Sequence, residues 1–480
     1  MDISTPLTQA KRLAGRLPAQ RIDANGVARV DFRAVMALAL PLVANSAVQV
    51  VLNLTDMWFI GHISTRSLAA VGAVHWLVLM TLLVFSGVGM AVQTIAAQAF
   101  GARRYTRASQ ALWNAMWGTL LAAPLLLAVA ASGHSILNPF GLDPDIELTA
   151  VEFWAPRVAG ASFGTALWAM IGFFNGIGNS KLSLFFTATV GIANAICNYV
   201  FIFRFGWGVA GSAWATNVAQ LIGLTIALGI FLSAPYRRQY RSHLTWKPLR
   251  RVLLRQLRIG FPMGIVPAAD LLGFAIFQIM QTRRGAADGA ASQAVTMICT
   301  AAYMTGVGVA FAGTTLVGQS IGAGDRAWAA RLGNYVITLV ACLMGGIGLV
   351  LAAIGPWVLP VFLSSEDPDA ARVIALSVKL LWIATLYQFF DGLSLASSLC
   401  LRGAGDAVVP AILVLAVSWL VFVPIAHILT FAPGQGWFEL LPQLGWGAVG
   451  GWIALVLYLM VLGLVMLGRW RSGAWRRISI

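Results

Sequence analysis

PLVANSAVQVVLNLTDMWFIG, residues Pro41 to Gly61, is an apolar run that carries a single acid, Asp56. On a helix turning about 100° per residue, Asn45, Gln49, Asn53 and Asp56 fall in one stripe roughly 80° wide. The rest of the wheel is mostly Val, Leu, Ala, Met and Phe. A carboxylate at bilayer depth costs about 2.5–3.5 kcal/mol on insertion scales, so it should face protein or water. The amide stripe marks that face. A purely structural role, in which Asp56 hydrogen-bonds a neighbouring helix, competes with a functional one; intramembrane acids default to function.

The whole chain agrees with that first reading. Of its 480 residues 59% are hydrophobic and only 10% charged, against about 25% charged in a soluble domain, so it is an integral membrane protein. Its mean hydropathy is +0.81. A formal charge of +15 raises the question of a nucleic-acid partner. The basic residues, however, cluster in short loops between apolar runs, as orientation signals do, so the expected partner is the lipid bilayer and not nucleic acid. Cys197, Cys299, Cys342 and Cys400 form no CxxC pair and read as small packing residues. Residues 1–33 are polar and basic, with no apolar core of a cleavable signal. They are expected to be a cytoplasmic tail, disordered or lying on the membrane surface.

Apolar runs of about 20 residues give twelve expected spans. Their limits are 34–60, 68–92, 110–132, 150–175, 181–203, 208–233, 257–281, 289–318, 333–355, 371–400, 407–431 and 446–468. Most of the 32 Lys and Arg fall in the tail, the even-to-odd loops and the C-terminus. Arg66, Arg204, Arg283, Arg284 and Arg372 lie in the opposite loops, together with Asp143, Asp145, Glu147, Glu366, Asp367 and Asp369. Both termini are therefore expected in the cytoplasm.

The chain also repeats. Pro41 and Pro262 lie 221 positions apart, and the same offset carries AQAFGA (97–102) onto GQSIGA (318–323). GIGNS (176–180) meets GAGDA (403–407) at 227, and GWGVAGS (206–212) meets GWGAVGG (445–451) at 239. Six spans per half is an even number, so both halves enter the membrane the same way round. The expected fold is all-α: twelve transmembrane helices in two six-helix bundles related by a pseudo-twofold axis along the membrane normal. The expected division is a tail 1–33, a first half 34–233, a basic linker 234–256, a second half 257–468 and a cytoplasmic tail 469–480. From Pro248, the apolar Leu249, Val252, Leu253 and Leu257 oppose Arg250, Arg251, Arg255 and Arg258. That pattern suits a helix lying on an anionic leaflet, or a solvated charge run, within a flexible bridge between the halves.

NLTDMWFIG followed by LAAVG, then FNGIGNSK, GQSIGAGD and LRGAGDAVVP, set within twelve spans in two halves, resembles the multidrug and toxic compound extrusion (MATE) family. The likeness covers nearly everything after residue 33 and is nearest the NorM-type branch. It implies a Na⁺- or H⁺-coupled antiporter that exports cationic amphiphilic compounds by alternating access, working as a monomer in the inner membrane.

Read from the residues alone, three acids sit well inside spans: Asp56, Asp270 and Asp391. No basic side chain stands out as their neutraliser; Lys379 is about 120° round the helix from Asp391. Such acids must be protonated, bound to cations or wet, and switching among those states is what coupled transport needs. Tyr387 lies one turn before Asp391, and Ser394 and Ser398 follow on the same side, so that oxygen ligands for a hard cation or a proton relay line one stripe. Asp270 shares its face with Phe274, Phe277, Gln278 and Gln281, suitable walls for an aromatic cationic substrate.

The resemblance adds roles. It implies a cation site in the second half from Asp270, Asp391 and Tyr387, with Asp270 standing where the NorM-type branch usually has Glu and so reaching one methylene less far. In the first half it implies an ion or substrate site around Asp56, with Gln49 and Asn53 on the same stripe and Asn194, Asn198, Ser212 and Thr216 beside it. The archaeal branch has a second Asp where Asn198 stands, so a two-carboxylate proton site is not expected there.

His62, His75, His134, His243 and His427 form no metal-ligand pair, and no GxSxG turn or Walker A sequence occurs. An enzyme is not expected, nor any cofactor beyond the coupling ion. An intramembrane enzyme using the acids as general acid and base is the remaining catalytic alternative. A lipid or lipid-linked-sugar flippase of the wider superfamily is the nearer one, favoured by a basic cavity where this chain places acids.

Overall fold

The first span starts where Asp31 can cap it. The Asp31 carboxylate accepts from the backbone N–H of Arg33 at 2.9 Å and of Ala34 at 3.4 Å, and helix runs from Phe32 to Gly61. The computed structural model describes residues 17–140, 143–362 and 370–478. The tail residues 1–16 and the acids Glu366, Asp367 and Asp369 lie outside them. Among the described residues, eleven helices are long and apolar enough to cross a membrane, or twelve if one bent pair counts as a span. The all-helical membrane fold expected from the sequence is the one the chain adopts.

After the first span come Thr65–Gly101, Tyr105–Ala131, the bent pair Pro144–Ala159 and Ala161–Gly176, Ser180–Asn198 and Gly208–Phe231. The second half follows with Arg250–Arg284, Ala286–Gly322, Arg326–Val358, Ala370–Ala404, Val408–Thr430 and Gly447–Arg471. The fourth span is bent by 44° at Gly160. Pro156 offers no N–H there. The Asn217 amide fills the space beside Gly160, where a Cβ would come within 2.1 Å of it, and donates to the Pro156 carbonyl at 2.6 Å.

The internal repeat has structural counterparts. Tyr199–Arg204 in the fifth span and Ser418–Phe422 in the eleventh both widen into π-helix. The paired turns also match: Gly206 and Gly445 have φ of 70° and 73°. The two copies of the 221-offset motif touch each other reciprocally. A Cβ on Gly101 would meet the Gln319 carbonyl at 2.0 Å, and one on Gly322 would meet the Gln98 carbonyl at 2.0 Å. Only glycine permits that approach of backbones.

The chain divides into two compact units. One comprises residues 1–268, 314–329 and 480; the other comprises 269–313 and 330–479. The ends of the seventh and eighth helices nearest the linker thus belong to the first unit. There, Gln93 donates to Thr315 at 3.0 Å, Thr315 to the Asn175 carbonyl at 3.0 Å, and Gln319 to the Gly176 carbonyl at 2.9 Å.

Two expectations need correction. The tail is not wholly irregular: Gln20–Ile22 (β1) and Ala28–Val30 (β2) form an antiparallel hairpin. The linker is not a loose bridge either. Trp113 and Trp117 donate to the carbonyls of Ser242 and Trp246, both at 2.7 Å. Asn114 accepts from the Leu249 N–H at 2.8 Å, and Gln256 donates to the Ala111 carbonyl at 2.6 Å. Residues 111, 113, 114 and 117 lie on neighbouring turns of the third span, so the linker is stitched along it. Helix begins at Arg250 and continues unbroken into the seventh span. On the apolar side of residues 249–257, Leu253 lies against Gly118 of the third span, while Leu249 and Leu257 are exposed. Upstream, Tyr236 and Tyr240 are buried among Phe173, Phe174 and Phe231. Burial pushes the Tyr236 phenol up to about 12, so it stays neutral.

Candidate functional site

The first unit holds Asp56 in an amide network. Asn198 donates to the Asp56 carboxylate at 2.7 Å and to the Asn194 side-chain oxygen at 3.1 Å. Asn194 in turn donates to the Thr216 hydroxyl at 3.2 Å, and Thr216 donates to the Ser212 carbonyl at 3.1 Å. Asn194 and Asn198 are one turn apart on the fifth span, which is why both reach the first and sixth. The structure thus brings Asp56, Asn194, Asn198, Ser212 and Thr216 together. The amide stripe of the first span divides: Asn53 is exposed and Gln49 half-buried, and among the described residues neither bonds to this network. Buried oxygens of Asn45 and Asn198 have no hydrogen-bond partner there.

Arg157 is the residue the sequence reading passed over. It follows Pro156 in the bent fourth span, and its guanidinium is close enough to Asp56 to interact with it electrostatically. Its Nη1 is buried with no hydrogen-bond partner among the described residues. The expectation that no basic side chain stands out beside the acids passes over this arginine, and a lone Arg inside a Pro-interrupted apolar run was its available signal.

The second unit holds two acids. The Tyr458 hydroxyl, from the twelfth span, donates to Asp270 at 2.8 Å. Asp391 lies within electrostatic reach of Asp270 and of Tyr387, and its Oδ2 is buried without a partner among the described residues. Arg402, three turns beyond Asp391 on the same helix, acts on Asp270, as does Tyr303. Arg402 is thus a second basic neighbour that the sequence reading missed, and Tyr458 a missed hydroxyl.

The proposed substrate walls fare differently. Phe277 is only 1% exposed and packs its ring 5.8 Å from Phe422 and 6.0 Å from Trp452, so it is core. Phe274 lies beside it at 5.7 Å. Gln278 donates to Gln293 at 3.0 Å and Thr296 at 3.1 Å and accepts from Ser292 at 3.1 Å, tying the seventh span to the eighth. Its amide is occupied by that role. No group of three or more metal-ligating His, Cys, Asp or Glu occurs among the described residues.

The sequence profile of the MatE family matches residues 41–200 and 262–428, spanning both halves and most of both networks. The chain belongs to the MatE family. Among its MatE relatives, a probable multidrug resistance protein NorM of Pseudomonas aeruginosa is 29% identical over 459 residues, covering 92% of this chain and 90% of that one. Another of the same description, from Agrobacterium fabrum, is 27% identical over 430 residues, covering 87% and 92%. The fold is also that of solved MATE structures. A crystal structure of MATE in the straight conformation superposes with a TM-score of 0.80 at 19% identity, over 92% of this chain and 96% of that one. An outward-facing multidrug resistance MATE family transporter gives 0.81 at 19% with the same coverage. Ser212, Thr216 and Tyr458 fall outside the profile match, so their places in the networks rest on this chain's own geometry.

Proposed function

We propose that this MatE protein is a cation-coupled antiporter that exports cationic amphiphilic compounds by alternating access. The observation that carries the proposal is the unbalanced carboxylate of the second unit. Asp270 has the guanidinium of Arg402 and the Tyr458 hydroxyl beside it, whereas Asp391 has Asp270 as its charged neighbour, and the Asp391 Oδ2 has no partner among the described residues. A buried charge of that kind needs a cation, and a coupling Na⁺ or H⁺ supplies one. Asp391 would hold it, Tyr387 would offer an additional oxygen, and Asp270 would tune the site while anchored by Tyr458. Charge taken up at Asp391 and released on the other side of the membrane is worth about 2.3 kcal/mol per 100 mV of potential for each cation moved inward.

The relatives named as multidrug resistance proteins support the substrate class, and the basic loops support an inner-membrane orientation with both termini in the cytoplasm. The deciding experiment uses purified protein in proteoliposomes loaded with a cationic dye. Efflux driven by an imposed Na⁺ or pH gradient, present in the wild type and lost in Asp391→Asn, is the expected result. Efflux that ignores both gradients would reject coupling.

A further inference from the structure

We propose that the N-terminal hairpin and the start of the first span form a binding site for the phosphate of a membrane phospholipid, with Arg21 and Arg33 as its ligands. Arg21, Val30, Asp31, Phe32 and Arg33 line a cavity of about 430 Å³ where the hairpin joins the first span. Phe32 is the first residue of that span and is exposed, so the cavity lies at headgroup depth, on the side where the basic loops cluster. Two arginines and one acid thus line the cavity, and Asp31 already spends an oxygen on the helix N-terminus.

The hairpin register supplies an independent reason for an anion. Arg21 pairs directly with Arg29 across the strands. Like charges in that position oppose pairing. Arg29 is answered by Asp23 at 2.9 Å, while Arg21 and Arg33 have no ion-pair partner among the described residues. The hairpin is nonetheless held in place. The buried Trp328 indole, at the start of the ninth span, donates to the Pro18 carbonyl at 2.9 Å, and the Asp31 N–H donates to the Ala19 carbonyl at 2.8 Å. Two arginines are thereby preorganised beside an exposed aromatic ring, and guanidinium forks suit phosphate oxygens. Residues 1–16 are a poor alternative occupant, since they carry Lys11, Arg12 and Arg16 against Asp2 alone. A phospholipid brings the missing negative charge and an acyl chain to lie along Phe32.

The test is native mass spectrometry of the full-length detergent-purified protein titrated with phosphatidylglycerol. The wild type should retain one lipid preferentially, and Arg21→Gln/Arg33→Gln should weaken that binding about thirtyfold, at the usual value of a basic group near an anionic surface. Arg237→Gln/Arg238→Gln, which removes as much charge elsewhere, should keep it. Trp328→Phe keeps both arginines but frees the hairpin, and should weaken retention severalfold. Equal loss in the two double variants would overturn the site in favour of diffuse charge attraction. Unchanged retention in Arg21→Gln/Arg33→Gln would overturn it outright. Displacement by glycerol phosphate at the lipid's own concentration would show that a free phosphate, and not a phospholipid, is the ligand.

Discussion

The two units solve the problem of buried carboxylates differently. In the first, one acid, Asp56, lies within electrostatic reach of one guanidinium, Arg157, and its hydrogen-bonded surroundings are neutral amide and hydroxyl. In the second, two acids lie within electrostatic reach of each other, a guanidinium, Arg402, acts on Asp270, and the Asp391 Oδ2 has no partner among the described residues. A balanced site is stable without a bound ion. An unbalanced one carries a standing demand for a cation. That difference is the reason for proposing Asp391 as the coupling residue and a role for Asp56 that depends on Arg157.

The largest expected effect follows from that assignment. Asp391→Asn should reduce gradient-driven efflux to the level of empty vesicles, while the purified protein keeps its elution volume and melting temperature, because the substitution removes an unbalanced charge. Wild-type efflux from the mutant would erase the contrast between the units. Asp56→Asn should behave in the opposite way. It takes away the acid within electrostatic reach of Arg157, and a buried charge left unanswered is costly. Thermal unfolding should show a clear loss of stability, largely recovered in Asp56→Asn/Arg157→Met. A single mutant as stable as the wild type would mean that Arg157 does not balance Asp56.

How much of this could be read from the chain depends on whether a feature is periodic or a matter of meeting. Span positions, the three intramembrane acids and the paired glycine motifs are periodic or local, and the structure contains them where the sequence puts them. Asn198 reached Asp56 through a resemblance, since 142 positions separate them. Arg157 and Arg402 were visible as letters but not as neighbours, because helix rotation and bending decide what an arginine faces. Residues 249–257 show the converse limit. An apolar stripe looks the same whether lipid or another helix covers it, and here Leu253 meets Gly118 of the third span. Phe277 looked like a substrate wall for the same reason and is core.

A smaller effect is expected at Tyr458. Its hydroxyl is the hydrogen-bond donor to Asp270, and the ring is stacked on Phe422 at 4.8 Å, so Tyr458→Phe removes the donor and keeps the packing. A hydrogen bond to a charged group is worth about 1.5–3 kcal/mol. Freed from it, Asp270 becomes a second claimant for the coupling cation. Efflux should persist with a weakened, shifted dependence on cation concentration, measurable in the same vesicles. An unchanged dependence would place Asp270 outside the coupling site and leave Asp391 to act alone.

The smallest effect should come from the neutral part of the first unit. Thr216 accepts from Asn194 at 3.2 Å and donates to the Ser212 carbonyl at 3.1 Å, with no ionised partner. Thr216→Val preserves the shape of the side chain and deletes both bonds. A neutral hydrogen bond contributes about 1 kcal/mol net, and the Ser212 carbonyl keeps its place in the helix. A modest fall in melting temperature with efflux close to wild type is therefore expected. Asn194 still accepts from Asn198 after the change, so the contact between Asn198 and Asp56 has a remaining support. Efflux that collapses in Thr216→Val, at little cost in stability, would show that the hydroxyl takes part in transport itself. The first unit would then be more than a balanced scaffold, and the contrast with the second would have to be redrawn around its hydroxyls and amides, with charge no longer deciding between the two.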